Sequence, residues 1–123
     1  MCRILISINP EFVEKILDGT KRFEFRKIEC RENVDELVIY CTSPVMKVVG
    51  IASVRRVIKG GPEEIWERTK EYAGVSKRFY DKYYNGKTKA VAFELSDVTR
   101  FDEPKDLSDY GVACPPQSFV YVY

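Results

Sequence analysis

The chain has 123 residues, 45% of them hydrophobic and 32% charged, with a formal net charge of +1, the size and balance of one globular domain and too short for two ordinary ones. It holds no histidine, and its four cysteines include no C-x-x-C pair, which excludes Ser-His-Asp and Cys-His catalysis and argues against a zinc site. No apolar run approaches the ~20 residues of a membrane helix, and "ILISI" behind Met1-Cys2-Arg3 is too short for a signal-peptide core, so a cytoplasmic protein with small, packed cysteines is expected.

In chain order, "RILISI" at 3–8 reads as a buried strand. Asn9 predicts an N-cap and Pro10 the first turn of a short helix, with Phe12, Val13, Ile16 and Leu17 on its apolar face. Gly19 supplies the left-handed stop. "KRFEFRKI" at 21–28 follows as a strand of period two. A third strand is predicted from about Asp35 to Thr42, ended by Ser43-Pro44, and "MKVVGIASVRRVIKG" at 46–60 is a long fourth one. In it Gly50 and Ala52 leave room for a bend or a close neighbour.

"GGP" at 60–62 is the strongest break in the chain. Beyond it, Pro62 to Tyr72 reads as a helix closed by Gly74, and Ser76 caps another that runs to Tyr84, before Asn85-Gly86. Val91, Phe93 and Leu95 alternate in a fifth strand, from about Thr88 to Phe101. After an acidic stretch at 102–113, "PPQSFVYVY" is the last strand. The order β-α-β-β-β-α-α-β-β is not that of a parallel doubly wound sheet. The expected fold is α+β, mainly β: a small, mostly antiparallel barrel closed on itself. One short N-terminal helix opens it and a helical pair is inserted between later strands, as one domain over 1–123.

Charge is unevenly spread. Residues 47–89 hold eleven Lys or Arg against five acids, and residues 90–123 hold two against six. A basic face meeting a polyanion and a set of solvated helix faces both produce this count.

The densest charge lies in "GTKRFEFRK" at 19–27, where Arg22, Glu24 and Arg26 alternate with Phe23 and Phe25. On a regular strand these three form a solvent-facing ladder worth at most about 1 kcal/mol, with Lys21 on the opposite, phenylalanine face. A twist or bulge near Gly19 would bring Lys21 to Glu24 instead. In a cleft the cluster would compensate its own charge: Arg26 could hold a phosphate or carboxylate, Glu24 could accept from an exocyclic amine, and Lys21 could neutralise charge. Phe79, Tyr80, Tyr83 and Tyr84, interleaved with Lys77, Arg78 and Lys82, have the spacing of a helix face docking on a barrel. The same residues could stack bases while the cations meet phosphates.

Gly19-x-Lys21-x-x-Glu24-x-Arg26, behind a helix opened by Asn9-Pro10, resembles the signature of the ASCH domain, a member of the PUA-like superfamily of small β-barrels. "IYCTSPVMKVVG" at 39–50 and "PPQSFVYV" at 115–122 are similar to the same family. The resemblance implies a cleft beside the first helix, lined by Lys21, Glu24 and Arg26. Tyr40, Ser43, Gln117 and Tyr121, at strand ends within the matching stretches, are further ligand-binding candidates. It implies RNA or a modified nucleoside as the ligand; no cofactor, metal or membrane is expected.

Some members of the family are amidohydrolases that remove the acetyl group from acetylated cytidine, and ribonuclease activity is claimed for another. In those amidohydrolases a threonine stands at the position of Glu24 and works with the signature lysine and a later glutamate. Here the hydroxyl is replaced by a carboxylate, and Thr20, though close in sequence, does not simply substitute for it. Glu71, with Glu67 behind it, is the candidate for the later glutamate. The expectation is an RNA- or nucleoside-binding cleft. The alternatives are a hydrolase in which a desolvated Lys21 acts as base while Glu24 or Glu71 positions water, and a regulatory module sensing a small anion.

Overall fold

Isoleucine-rich β1 (Arg3–Ile8) and amphipathic α1 (Pro10–Leu17) form where the hydrophobic pattern places them in the computed structural model, which describes residues 2–30 and 33–123. Strands β2 (Phe23–Arg26), β3 (Glu36–Cys41) and β4 (Lys47–Gly60) follow. Helices α2 (Pro62–Thr69) and α3 (Lys77–Tyr83) lie between β4 and β5 (Ala90–Lys105), and β6 (Phe119–Val122) comes last. A 3-10 turn at Lys70–Tyr72 continues α2, and a second at Leu107–Tyr110 follows β5. No helix among the described residues is long and apolar enough to cross a membrane.

The sheet order is β2-β5-β4-β3-β1-β6. β1 runs parallel to β3, and the other four pairings are antiparallel. The sheet curls into a half-barrel, but no ladder joins its edge strands β2 and β6 among the described residues. The closed barrel read from the sequence is thus corrected to an open one. β2 keeps only four residues in its ladder, because left-handed Gly19 (φ +86°) precedes it and bends at 27–28 follow. Across the opening Arg26 Nη2 donates to the Ser7 carbonyl of β1 at 2.8 Å, a side chain bridging strands that share no ladder.

Curling depends on β4, which pairs with β3 and β5 and shifts register against β5 at three places. At one of these Gly50 meets β5 so closely that a Cβ would stand 2.4 Å from the Thr99 carbonyl oxygen. The close neighbour expected at Gly50 is this backbone.

Three apolar clusters hold the layers together. Val13 and Ile16 of α1 pack on Ile4 and Ile6 of β1, Leu37 and Ile39 of β3, and Val91 and Phe93 of β5, each large side chain contributing about 1.5–3 kcal/mol by leaving water. The helical pair brings Ile65, Ala73, Tyr80 and Tyr84 against Phe23, Phe25, Ile58 and Ala92. The buried phenols are satisfied: Tyr80 donates to the Pro62 carbonyl at 2.7 Å and Tyr84 to the Arg26 carbonyl at 2.9 Å. Leu5, Val38, Tyr40, Val48 and Val122 form the third cluster, against Leu107, Tyr110 and Val112.

Helix ends mostly follow the sequence signals. Ser76 Oγ accepts from the Phe79 N–H at 3.0 Å, and Gly19 closes α1. Asn9 occupies the N-cap, but its side chain caps nothing; its Oδ1 accepts from Thr42 Oγ1 at 3.4 Å. The last strand starts at Phe119 rather than at the two prolines, which have no N–H to give to a ladder. β5 runs on to Lys105 through residues read as an acidic loop.

Candidate functional site

Residues 19–22 leave the period-two pattern before the strand begins. Gly19 turns left-handed, the Lys21 N–H then bonds the Lys15 carbonyl at 2.9 Å, and the Arg22 N–H bonds the Tyr72 carbonyl at 2.8 Å. Lys21 is therefore outside the ladder, and its ammonium swings to the Glu24 side. Nζ lies 3.8 Å from Glu24 Oε1, and Glu24 Oε2 accepts from Arg26 Nη2 at 2.7 Å. The three side chains are 1%, 9% and 13% exposed, so the solvent-facing ladder is not what forms. Only Arg22 of that row stays in water, with its guanidinium 4.0 Å from the centre of the Tyr72 ring.

Lys21 is held from several sides. Its Nζ donates to the Ala73 carbonyl at 2.7 Å and lies 4.8 Å from the centre of the Phe25 ring. Gly74 presses on its aliphatic stem: a Cβ there would fall 2.4 Å from Lys21 Cβ and Cγ. Burial lowers the Lys21 pKa to about 8, against the opposing pull of Glu24, while Arg26 and Lys15 lower it further. Arg26 Nη2 serves both Glu24 and Ser7, whereas its buried Nε has no partner among the described residues.

The lysine shift fixes a pH dependence. Between about 8 and 10.5 the unfolded chain still binds the proton that the folded one has released, so the Lys21 contribution to stability rises with pH, by about 2 kcal/mol from pH 8 to 10, against the opposite pull of Cys30 and Cys41, whose thiol pKa values burial raises. Above pH 10 the trend reverses, because burial raises the pKa of Tyr80 and Tyr84 and the unfolded chain then loses those protons first. Denaturant titrations of the parent and Lys21→Met from pH 7 to 10 isolate the lysine: the stability of the parent relative to the variant should show a rising limb of about 2 kcal/mol from pH 8 to 10. A flat difference between the two would assign the shift to another group.

The triad forms the floor of a cavity of about 300 Å³ between α1, β2, α3 and residues 115–117. Phe12, Phe79 and Tyr83 make an aromatic wall, and Asn9, Thr42 and Gln117 also line it. Phe12 meets Phe79 edge-on at 5.2 Å, and the Phe79 and Tyr83 rings lie 7° from parallel with centres 6.5 Å apart. Phe79 is 44% exposed. Ser7 Oγ donates to the Pro116 carbonyl at 2.7 Å, which ties the 115–117 segment across the end of β1. The space suits one small aromatic ligand with polar edges.

Four other predicted positions fall elsewhere. Tyr40 is buried in the cluster beneath residues 107–112. Ser43 is exposed in the turn after β3. Tyr121 sits half-buried on β6 opposite Ile4, against Phe119. Glu71 is exposed on the 3-10 turn, and Glu67 pairs with Lys70 at 2.7 Å. Both glutamates lie two residues beyond the buried Ile65 and Thr69, hence on the solvent side of that segment. Thr20 is also outside, bonded to Asp18 Oδ1 at 2.7 Å. Glu24 is the carboxylate that lines the cavity.

The aromatic run of α3 divides between two tasks. Tyr80 and Tyr84 are buried in the core, Tyr80 also reaching the cavity, while Phe79 and Tyr83, one residue earlier in each turn, line the cavity, Tyr83 packing against the core as well. Gly74 and Phe12 escaped the sequence reading as site residues, since a helix stop and an apolar-face residue give no other signal.

The family model of the ASCH domain matches residues 6–105. A protein of Zymomonas mobilis named "ASCH domain-containing ribonuclease" is 36% identical over 124 residues, which cover 96% of this chain and 82% of that one. The crystal structure of ASCH from Zymomonas mobilis matches with a TM-score of 0.89 at 31% identity, over 98% of this chain and 87% of that one. "Large ribosomal subunit protein uL22" of Ureaplasma parvum is 34% identical over 120 residues. The match takes in 97% of this chain, which spans 39% of that relative's length.

Proposed function

This chain belongs to the ASCH domain family, and from that premise we propose that its cleft binds single-stranded RNA by taking one nucleoside into the cavity. The observation that carries the reading is the floor: the Arg26 guanidinium paired with the Glu24 carboxylate, both lining the cavity under an aromatic wall. A base offers acceptors and amino groups at its edge and a face for stacking, which these groups complement.

Phe79→Ala is the direct test. The ring is exposed enough for its loss to leave the fold nearly unchanged, and removing a stacking partner should weaken binding by about 1–3 kcal/mol. Fluorescence anisotropy with a labelled single-stranded RNA measures it, and affinity should fall steeply as salt rises. Equal affinity of the variant and the parent would refute stacking in this cavity.

A second reading, RNA cleavage, rests on Lys21. With its pKa near 8, roughly a tenth of the amine is neutral at pH 7 and can accept a proton. The Zymomonas mobilis relative carries the name ribonuclease. In this reading Lys21 takes the proton of an attacking hydroxyl, Arg26 holds the phosphate, the P–O bond to the departing ribose oxygen breaks as that oxygen takes a proton from water, and turnover climbs from pH 7 to 9. Lys21→Met should abolish product on a chromatogram. Cleavage that persists in that variant removes the lysine from the chemistry.

A further inference from the structure

We propose that the outer stripe of α3, Arg78 and Lys82 with Lys27 of the segment after β2 beside it, is a phosphate track for the nucleotides that flank the one in the cavity. The inference rests on the RNA reading above and extends it from a pocket to a surface.

α3 presents three stripes. Tyr80 and Tyr84 point into the core, Phe79 and Tyr83 point at the cavity, and Arg78 and Lys82 precede each member of the second pair by one residue. Spaced i and i+4, the two cations stand about 5–6 Å apart at their Cβ atoms. Both are exposed on the side of the helix away from the core, next to the aromatic edge of the opening. Lys27 flanks that edge from the bend just after β2, with its Nζ 4.4 Å from the centre of the Tyr83 ring.

Several of the neighbouring cations are paired, though Arg68 and Lys87, like the stripe, have no ion pair among the described residues. Lys77 is engaged by Glu63 and Asp81, Lys70 by Glu67, and both Lys59 and Lys89 by Glu29. Lys27, Arg78 and Lys82 have no ion pair among the described residues, so their charge is available to a partner. Helix faces that serve only solubility carry interspersed acids to balance such cations. Here the one acid of α3, Asp81, is already paired with Lys77. Uncompensated cations beside exposed rings are the arrangement by which proteins grip a single strand, rings for bases and cations for the backbone. The partner is therefore a single-stranded nucleic acid longer than one nucleotide.

The test compares the parent with the double variant Arg78→Gln/Lys82→Gln, using the four nucleoside monophosphates and a mixed-sequence RNA octamer as probes across a salt series. The double variant should retain the monophosphates, lose octamer affinity by about tenfold or more near 0.1 M salt, and show a salt slope shallower by about 1.4, two contacts on a single strand. Thermal unfolding should match the parent, since both side chains are exposed. An octamer affinity and slope equal to the parent's, with the monophosphates still bound, would overturn the track and leave the cavity reading standing. A parent chain that binds neither probe would overturn both.

Discussion

Glu24→Leu is expected to lower the unfolding free energy by about 3–5 kcal/mol, the usual result of removing one partner from a buried ion pair. Leucine replaces much of the volume, so the loss reports charge rather than a cavity. Lys21 and Arg26 would then face one another with no carboxylate between them. The two cations differ in their escape: Lys21 can shed its proton, whereas the guanidinium of Arg26 cannot. Adding Arg26→Met to Glu24→Leu should therefore restore more stability than adding Lys21→Met. Denaturant unfolding of the parent, the three single variants and the two double variants, as two double-mutant cycles, measures the ranking. A loss under 1 kcal/mol for Glu24→Leu would mean the triad is solvated and the cavity floor is wet surface.

Gly74→Ala should cost about 3 kcal/mol, from two sources. A residue with a side chain at φ +70° bears about 1–2 kcal/mol of backbone strain, and overlap of the new Cβ with the buried Lys21 stem adds about 1–3 kcal/mol. Gly86 separates these effects, because it has φ +76° and nothing within 4 Å of the position its Cβ would take. Gly86→Ala bears the backbone effect alone, so the difference between the variants isolates the push on Lys21. That push should also displace Nζ from the Ala73 carbonyl and weaken ligand binding, which Gly86→Ala should leave intact. Identical losses in the two variants would show that the lysine stem yields freely.

The elements were largely legible because local signals and tertiary demands agree in them. The isoleucines of 3–8, the Gly19 stop, the Gly60-Gly61-Pro62 break and the Ser76 cap each act within a few residues. The parallel pairing of β1 with β3 and the open edge between β2 and β6 were not legible, since both are set by partners distant in sequence. The same divide runs through the site. Lys21, Glu24 and Arg26 lie in one short stretch, Lys21 before β2 and the other two on it, and they line the cavity together with Gln117. Glu71, Tyr40, Ser43 and Tyr121 were placed by strand ends and loose spacing, which say nothing of the side a residue faces, and they lie away from the cavity. The ASCH resemblance agrees with the family match over residues 6–105, which takes in two of the three stretches that carried it and ends before 115–122.

The ladder that joins Arg3–Ile6 to Phe119–Val122 governs the order in which the chain can mature. β1 is an inner strand, yet one of its neighbours lies far later in the sequence, so its isoleucines must wait on the ribosome with one edge bare. The β4–β5 region with its two helices has its contacts within a shorter loop and can close first at smaller entropic cost. Until residues 119–122 emerge, the nascent sheet offers an unpaired apolar strand to any other strand nearby. Loss of β6 or delay in supplying it would harm the yield of folded protein before it touched the cavity at all.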